Sequence, residues 1–134
     1  MSEQKSEMPT VLLVEDNSLL RWWMTSSLSN EGYRVAAPES VEEAINLAGV
    51  TPFDVLITDW RLAEGHDGLE ILNRARRKDP TTVAVLVSAE AEADFSERAK
   101  GLGFDLVIEK PFGVADIVAA VHELAGHHPA RIAS

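Results

Sequence analysis

No cysteine occurs among the 134 residues. That absence removes disulfide frameworks, thiolate metal centres and cysteine nucleophiles, and it fits a reducing compartment. Basic side chains are also scarce: 12 Lys and Arg stand against 22 Asp and Glu, for a formal net charge of −10. A surface of that sign repels nucleic acid phosphates and anionic lipid, which disfavours direct nucleic-acid or membrane binding. The chain has no run of about 18 apolar residues. Its first ten residues are polar and lack the apolar centre of a secretory signal. The cytoplasm is the expected location. Repeats, low-complexity tracts and linkers are missing too. What remains is a chain with 46% apolar residues, long enough for one real core and too short for two.

Strand and helix patterns alternate from end to end. Residues 11–14 form a continuous apolar run, as expected of a parallel strand covered on both faces. Residues 18–30 read as a helix carrying Leu19, Trp22, Trp23 and Leu28, with Gly32 as its stop. The adjacent tryptophans point about 100° apart, so one is expected in the core and the other partly at the surface. A second strand is expected at 33–37. Ser40-Val41-Glu42-Glu43 has the capping-box form and opens a helix reaching about Ala48. A strand at 53–58, a loop at 60–66 and a helix at 68–78, with Leu69, Ile71 and Leu72 inward and Asp79-Pro80 ending it, come next. A strand at 83–87, a helix at 94–102, a strand at 105–108 and a helix at 114–125 complete the series. Five strands alternating with five helices predict a doubly wound α/β domain over residues 10–125, because right-handed crossovers lay helices on both faces of a parallel sheet. Residues 1–9 read as a flexible extension and 126–134 as a tail too short to fold alone.

Several apolar runs end in reactive polar residues: Glu15-Asp16, Asp59, Ser88 and Glu109-Lys110-Pro111. The carboxyl ends of parallel strands share one edge, so these groups converge there. Neighbouring carboxylates repel unless a cation sits among them, and hard oxygen ligands without sulfur favour Mg²⁺. Glu15, Asp16 and Asp59 are the candidates. Helix capping explains any one of them but not all three, because Asp59 is followed by loop. Taken singly, Lys110 reads as a solvated lysine and Ser88 as a turn former. Their strand-end positions argue for the shared pocket.

Glu15-Asp16, Asp59, Asp67-Gly68-Leu69-Glu70, Ser88-Ala89 and Lys110-Pro111-Phe112, on this strand order, resemble the receiver domain of bacterial two-component response regulators. The resemblance covers about residues 10–124 and implies a flavodoxin-like fold with a five-stranded parallel sheet. It implies that Asp59 is a phosphoacceptor attacking the phosphorus of a phosphohistidine. Mg²⁺ would be held by Asp16, Asp59 and the backbone carbonyl of Arg61, with Glu15 acting through water. The Lys110 ammonium and Ser88 hydroxyl would offset charge on the equatorial oxygens. The Lys110-Pro111 bond is expected to be cis. Phosphorylation would draw Ser88 inward and change the partner affinity of a surface over 94–102, 105–108 and 114–124. A sensor histidine kinase or histidine phosphotransfer protein is the implied donor, a downstream protein the implied reader, and self-association is compatible with the family. Such a protein is a switch with self-directed chemistry, not a metabolic enzyme.

Departures from the family pattern are specific. Val107 stands where the switch hydroxyl usually has an aromatic partner, so aromatic rotamer switching does not operate in its usual form. The loop between Asp59 and Gly68 is one residue longer than is common, with Ala63 where proline is frequent. Arg61 and Glu90 occupy the positions that tune water access to the phosphoryl group. Trp60 reads as a fluorescent reporter beside the acceptor. The His127-His128 pair reads as solvated, and none of the four histidines has a phosphodonor setting. Other classes fit less well. An aspartate-nucleophile phosphatase needs a second acidic residue where Arg61 stands. A nucleotide or flavin domain needs a glycine-rich cradle where Glu15-Asp16-Asn17-Ser18 stands. A phosphorylation-independent interaction module leaves the full chemical set unused. The chain is expected to be a stand-alone regulator, or a receiver excised from a hybrid histidine kinase or longer regulator.

Overall fold

A computed structural model describes residues 8–89 and 94–127. Glu90, residues 1–7 of the expected extension and residues 128–134 of the expected tail, His128 among them, lie outside the described residues. The apolar runs form five parallel strands, β1 (Thr10–Val14), β2 (Arg34–Ala36), β3 (Val55–Asp59), β4 (Val83–Ser88) and β5 (Leu106–Glu109). Their order is β2-β1-β3-β4-β5. The winding direction reverses between β1 and β3, which opens a crevice at the carboxyl ends of those two strands.

Four helices cross between the strands, α1 (Ser18–Asn30), α2 (Val41–Val50), α3 (Gly68–Lys78) and α4 (Phe95–Gly101), and α5 (Val114–His127) follows β5. Alternation along each strand builds two cores. Leu12, Leu56, Ala84 and Leu86 face α2, α3 and α4 through Ala44, Ile71, Leu72 and Phe95. Val11, Leu13, Val55, Ile57 and Val85 face α1 and α5 through Met24, Leu28, Ile117 and Val121. Leu69, expected inward, is half-buried against the first core.

Side-chain caps start three helices immediately past strand-end loops. Asn17 Oδ1 accepts from the Leu20 N–H at 2.9 Å, Ser40 Oγ from the Glu43 N–H at 3.1 Å, and Asp67 Oδ1 from the Glu70 N–H at 3.0 Å. Gly32 follows α1 with φ +99°, a conformation that suits glycine.

Some element ends differ from the sequence expectation for identifiable reasons. Tyr33 is not in β2, because its N–H closes the end of α1 on the Leu28 carbonyl at 3.1 Å. Phe53 precedes β3; its ring is buried and its carbonyl accepts from Thr82 Oγ1 at 2.7 Å. The loop after β3 contains a single 3₁₀ turn at Ala63–Gly65, where Glu64 (φ 61°) and Gly65 (φ 82°) are both left-handed. That pair accommodates the longer loop, which closes through a bridge between Arg61 and Asp67.

The expectation that Trp22 or Trp23 enters the core is incorrect. They are 62% and 51% exposed, and Leu19 is 62% exposed. The inward stripe of α1 is Leu20, Met24 and Leu28, four residues apart. Positions 22 and 23 fall outside that stripe, and the one charged residue of α1, Arg21, adjoins them.

Candidate functional site

Register assembles the site. Val14 pairs with Thr58, so the residues that follow, Glu15 and Asp59, leave their strands side by side. On the other flank, Asp59 pairs with Val87, and Ser88 pairs with Glu109. The Lys110 N–H donates to the Ser88 carbonyl at 2.8 Å, so the end of the β4–β5 ladder ties the hydroxyl and ammonium residues together. The Lys110–Pro111 peptide is cis, as the family resemblance implied.

Lys110 Nζ lies 2.7 Å from Asp59 Oδ2 and 3.3 Å from Glu15 Oε1. The first contact is a hydrogen bond. The second is an ion pair without hydrogen-bond alignment, and Glu15 Oε1 is a buried oxygen with no hydrogen-bond partner. Its other oxygen, Oε2, accepts the Asn17 N–H at 3.0 Å. Burial disfavours the Glu15 carboxylate most strongly, and the Asp59 charge adds to that effect. The Asn17 N–H and Lys110 oppose it, and the Glu15 pKa remains above its ordinary 4.5. Burial also works against the Lys110 ammonium. Its hydrogen bond to Asp59 and the charges of Asp59 and Glu15 outweigh that penalty, so the Lys110 pKa lies above 10.5.

Around this trio, Ser88 is buried, Asp16 is exposed at the rim, and Arg61 is exposed in the loop after β3. Val107 sits half-buried in β5, in register with Leu86. Trp60 packs partly into the first core, meeting Phe95 edge-on at 6.0 Å and Phe104 at 6.4 Å between ring centres. A shallow cavity of about 480 Å³ beside Lys110 is lined by Asn17, Leu20, Ala89, Pro111 and Phe112. A larger groove, about 820 Å³ between α1 and α5, contains none of these site residues.

Two supporting residues escaped the sequence reading. Arg21 donates from NH1 to the Glu15 carbonyl at 2.8 Å, holding the end of β1. No motif announces an arginine six positions after a carboxylate. Asn17 both caps α1 and bonds Glu15, and its place before an apolar-periodic segment was a legible cap signal.

Hard oxygen donors, a buried carboxylate oxygen without a hydrogen bond and neighbouring like charges suit a divalent cation. Among the described residues no three Asp, Glu, His or Cys side chains form a ready-made cage. Glu15 and Asp59, drawn to one ammonium with exposed Asp16 next in the chain, suit a divalent ion that keeps much of its water.

The sequence matches the family model described as "Response regulator receiver domain" over residues 11–122. The chain belongs to that family. This receiver domain is 31% identical over 126 residues to the KDP operon transcriptional regulatory protein KdpE of Escherichia coli K12, covering 94% of the chain and 55% of that protein. The curated relatives it matches include proteins of which it spans only about a quarter, such as the regulator NtrC. A solved response regulator receiver protein from Sinorhizobium medicae WSM419 superposes with a TM-score of 0.78 at 29% identity, covering 92% of this chain and 98% of that one. A response regulator from Burkholderia pseudomallei, solved with a phosphorylated aspartic acid, calcium ion and citrate, gives a TM-score of 0.74 at 25% identity, covering 93% and 73%. The receiver domain is thus a two-component signalling module with a flavodoxin-like fold. Among its described residues no helix is long and apolar enough to cross a membrane.

Proposed function

We propose that this receiver domain is a phosphoacceptor switch of a two-component phosphorelay, working in the cytoplasm and taking a phosphoryl group from a phosphohistidine onto Asp59. The observation that carries the reading is the 2.7 Å contact of Lys110 Nζ with Asp59 Oδ2, beside buried Glu15. Asp59 is the nucleophile: an oxygen of its carboxylate forms the new P–O bond as the P–N bond breaks and the imidazole leaves with the electron pair. Lys110 holds the acceptor carboxylate in place and stays protonated, so its charge faces the equatorial oxygens as the anionic groups close. The Ser88 hydroxyl donates to one of those oxygens and carries its backbone inward.

Asp16, Asp59 and the Arg61 carbonyl would hold Mg²⁺, with Glu15 reaching it through water. When bound, that ion offsets the charge of the incoming phosphoryl oxygens. Arg61 and Glu90 tune the entry of the water that later hydrolyses the acyl phosphate and regenerates the Asp59 carboxylate. A histidine kinase or histidine phosphotransfer protein donates. A downstream protein reads the state on α4, β5 and α5. The domain turns over only its own phosphoryl group.

The pattern of relatives and the phosphorylated aspartate in the Burkholderia regulator support this reading. Intact mass after incubation with Mg²⁺ and acetyl phosphate tests it. One phosphoryl group on the wild type, absent without Mg²⁺ and absent in Asp59→Asn, is expected. No adduct on the wild type, with hydrolysis slowed by cold and with histidine kinases as donors, would leave a phosphorylation-independent interaction module.

A further inference from the structure

We infer that Trp60 is a positioning residue that couples the state of Asp59 to α4 through its edge-on contact with Phe95. The inference rests on the phosphoacceptor reading above and adds the route by which the signal leaves the site.

Two residues anchor α4: Phe95 and Ala99 are its buried residues, and every other side chain from Ser96 to Gly101 is exposed. Asp94, at its N-cap, makes no side-chain cap hydrogen bond. The seat of Phe95 therefore has a large share in setting where α4 lies. That seat includes Trp60, whose ring meets Phe95 at 6.0 Å and 84°, an edge-to-face geometry that aromatic pairs favour. The same indole meets Phe104, just ahead of β5, at 6.4 Å and 70°. On Phe95 the Arg98 guanidinium lies 5.7 Å from the ring centre, so the ring that touches Trp60 also touches a cation on the exposed side of α4.

Trp60 is the chain neighbour of Asp59, and its carbonyl is fixed by the Gly68 N–H at 2.8 Å. The backbone at this point is held by α3, so the contact with α4 runs through the Trp60 ring. β5 offers no such ring, because Val107 stands where an aromatic residue would give the switch hydroxyl a partner. The aromatic contacts of this region are gathered on Trp60 instead. A change of charge at Asp59 that moves its neighbouring side chain must repack Phe95 and Phe104, and a partner that holds α4 must alter Asp59 in return, since coupling is reciprocal.

The test compares wild type, Trp60→Leu and Phe95→Leu, each treated with Mg²⁺ and acetyl phosphate. Intact mass reports phosphoryl occupancy, and hydrogen–deuterium exchange reports residues 95–101 at matched occupancy. In the wild type, phosphorylation is expected to change exchange across α4. In either variant that change is expected to fall to less than about half, while occupancy is retained. Should Trp60→Leu fail to fold, Phe95→Leu carries the same readout. An unchanged α4 response in a folded, phosphorylated variant overturns the inference, as does a phosphorylated wild type with no α4 response. A wild type that takes no phosphoryl group overturns the phosphoacceptor reading itself, and the mass spectrum alone separates that outcome from the others.

Discussion

Gly68 stands so close to Asp59 that a β-carbon placed on it would lie 2.5 Å from the Asp59 carbonyl oxygen and 3.0 Å from Thr58 Cγ2. The helix that follows the acceptor loop is thus packed against the acceptor's own backbone. Gly68→Ala must push α3 or β3 aside. We expect a loss of about 1–3 kcal/mol in urea unfolding, the usual cost of overpacking. Phosphoryl uptake at Asp59 should slow in the same variant. A fully stable Gly68→Ala with wild-type uptake would show that the contact relaxes freely.

Glu15 gives a pH signature. Its pKa is raised mainly by burial, so the folded chain favours the protonated form. The stabilisation tied to that preference is fully present below the ordinary carboxylate value of 4.5 and is lost as pH rises through the raised folded value. Glu15→Gln keeps an oxygen for the Asn17 N–H and removes the charge. In metal-free buffer its melting temperature should exceed that of the wild type at pH 7 and converge with it at pH 4. Parallel curves at both pH values would rule the account out.

His66 loses stabilisation in the same pH direction, but there the favoured form is the charged one. Its Nδ1 lies 2.8 Å from Glu70 Oε1, and that bond, with the charges of Glu70, Glu64 and Glu42, raises its pKa above 6.5 despite some desolvation. The stabilisation is complete below 6.5 and disappears as pH rises through the folded value. An NMR titration should place His66 above an unperturbed imidazole, and Glu70→Gln should lower it. No change on that substitution would mean the pair does not persist in solution.

Arg76 ties three backbone segments together. Its Nε donates to the Thr82 carbonyl at 3.0 Å, NH1 to the Gly103 carbonyl at 2.6 Å and NH2 to Asp105 Oδ2 at 2.9 Å. Asp105 Oδ2 in turn accepts the Ala84 N–H at 2.7 Å. Lysine cannot reproduce that planar fork, so Arg76→Lys should destabilise nearly as much as Arg76→Ala, by roughly 2 kcal/mol. Rescue by lysine would reduce the contact to a simple point charge.

Trp22 and Trp23 should be dispensable to the fold. The double change Trp22→Gln, Trp23→Gln replaces two exposed rings with a better helix former, and stability should hold within about 0.5 kcal/mol. A large loss would mean that these rings are covered in solution.

The ordered strands and their polar ends were legible because period and punctuation agree: apolar runs bounded by caps, glycine and proline leave little freedom for a parallel sheet. Asp59, Glu15 and Lys110 follow from strand-end position alone, and the structure brings both carboxylates within contact of Lys110. Orientation around a helix was not legible in α1, where a single charge, Arg21, and scattered serines and threonine leave more than one apolar stripe open. Arg21 was invisible for another reason: its partner is a backbone carbonyl, and backbone groups leave no trace in a residue pattern. The aromatic cluster of Trp60, Phe95 and Phe104 joins residues from three separate segments, which only the folded chain brings together.

Glu15 follows β1 and Asp59 ends β3, both made early, whereas the ammonium between them follows β5. A chain leaving the ribosome from its N-terminus presents two adjoining carboxylates before their counter-charge has been synthesised. Until Lys110 arrives, those carboxylates repel one another at the edge where the finished pocket closes. β5 therefore does more than extend the sheet, because its arrival brings Lys110 and neutralises that edge. A chain cut short before Lys110 keeps the repulsion without its counter-charge, so truncated products are expected to open first at the edge that carries Glu15 and Asp59.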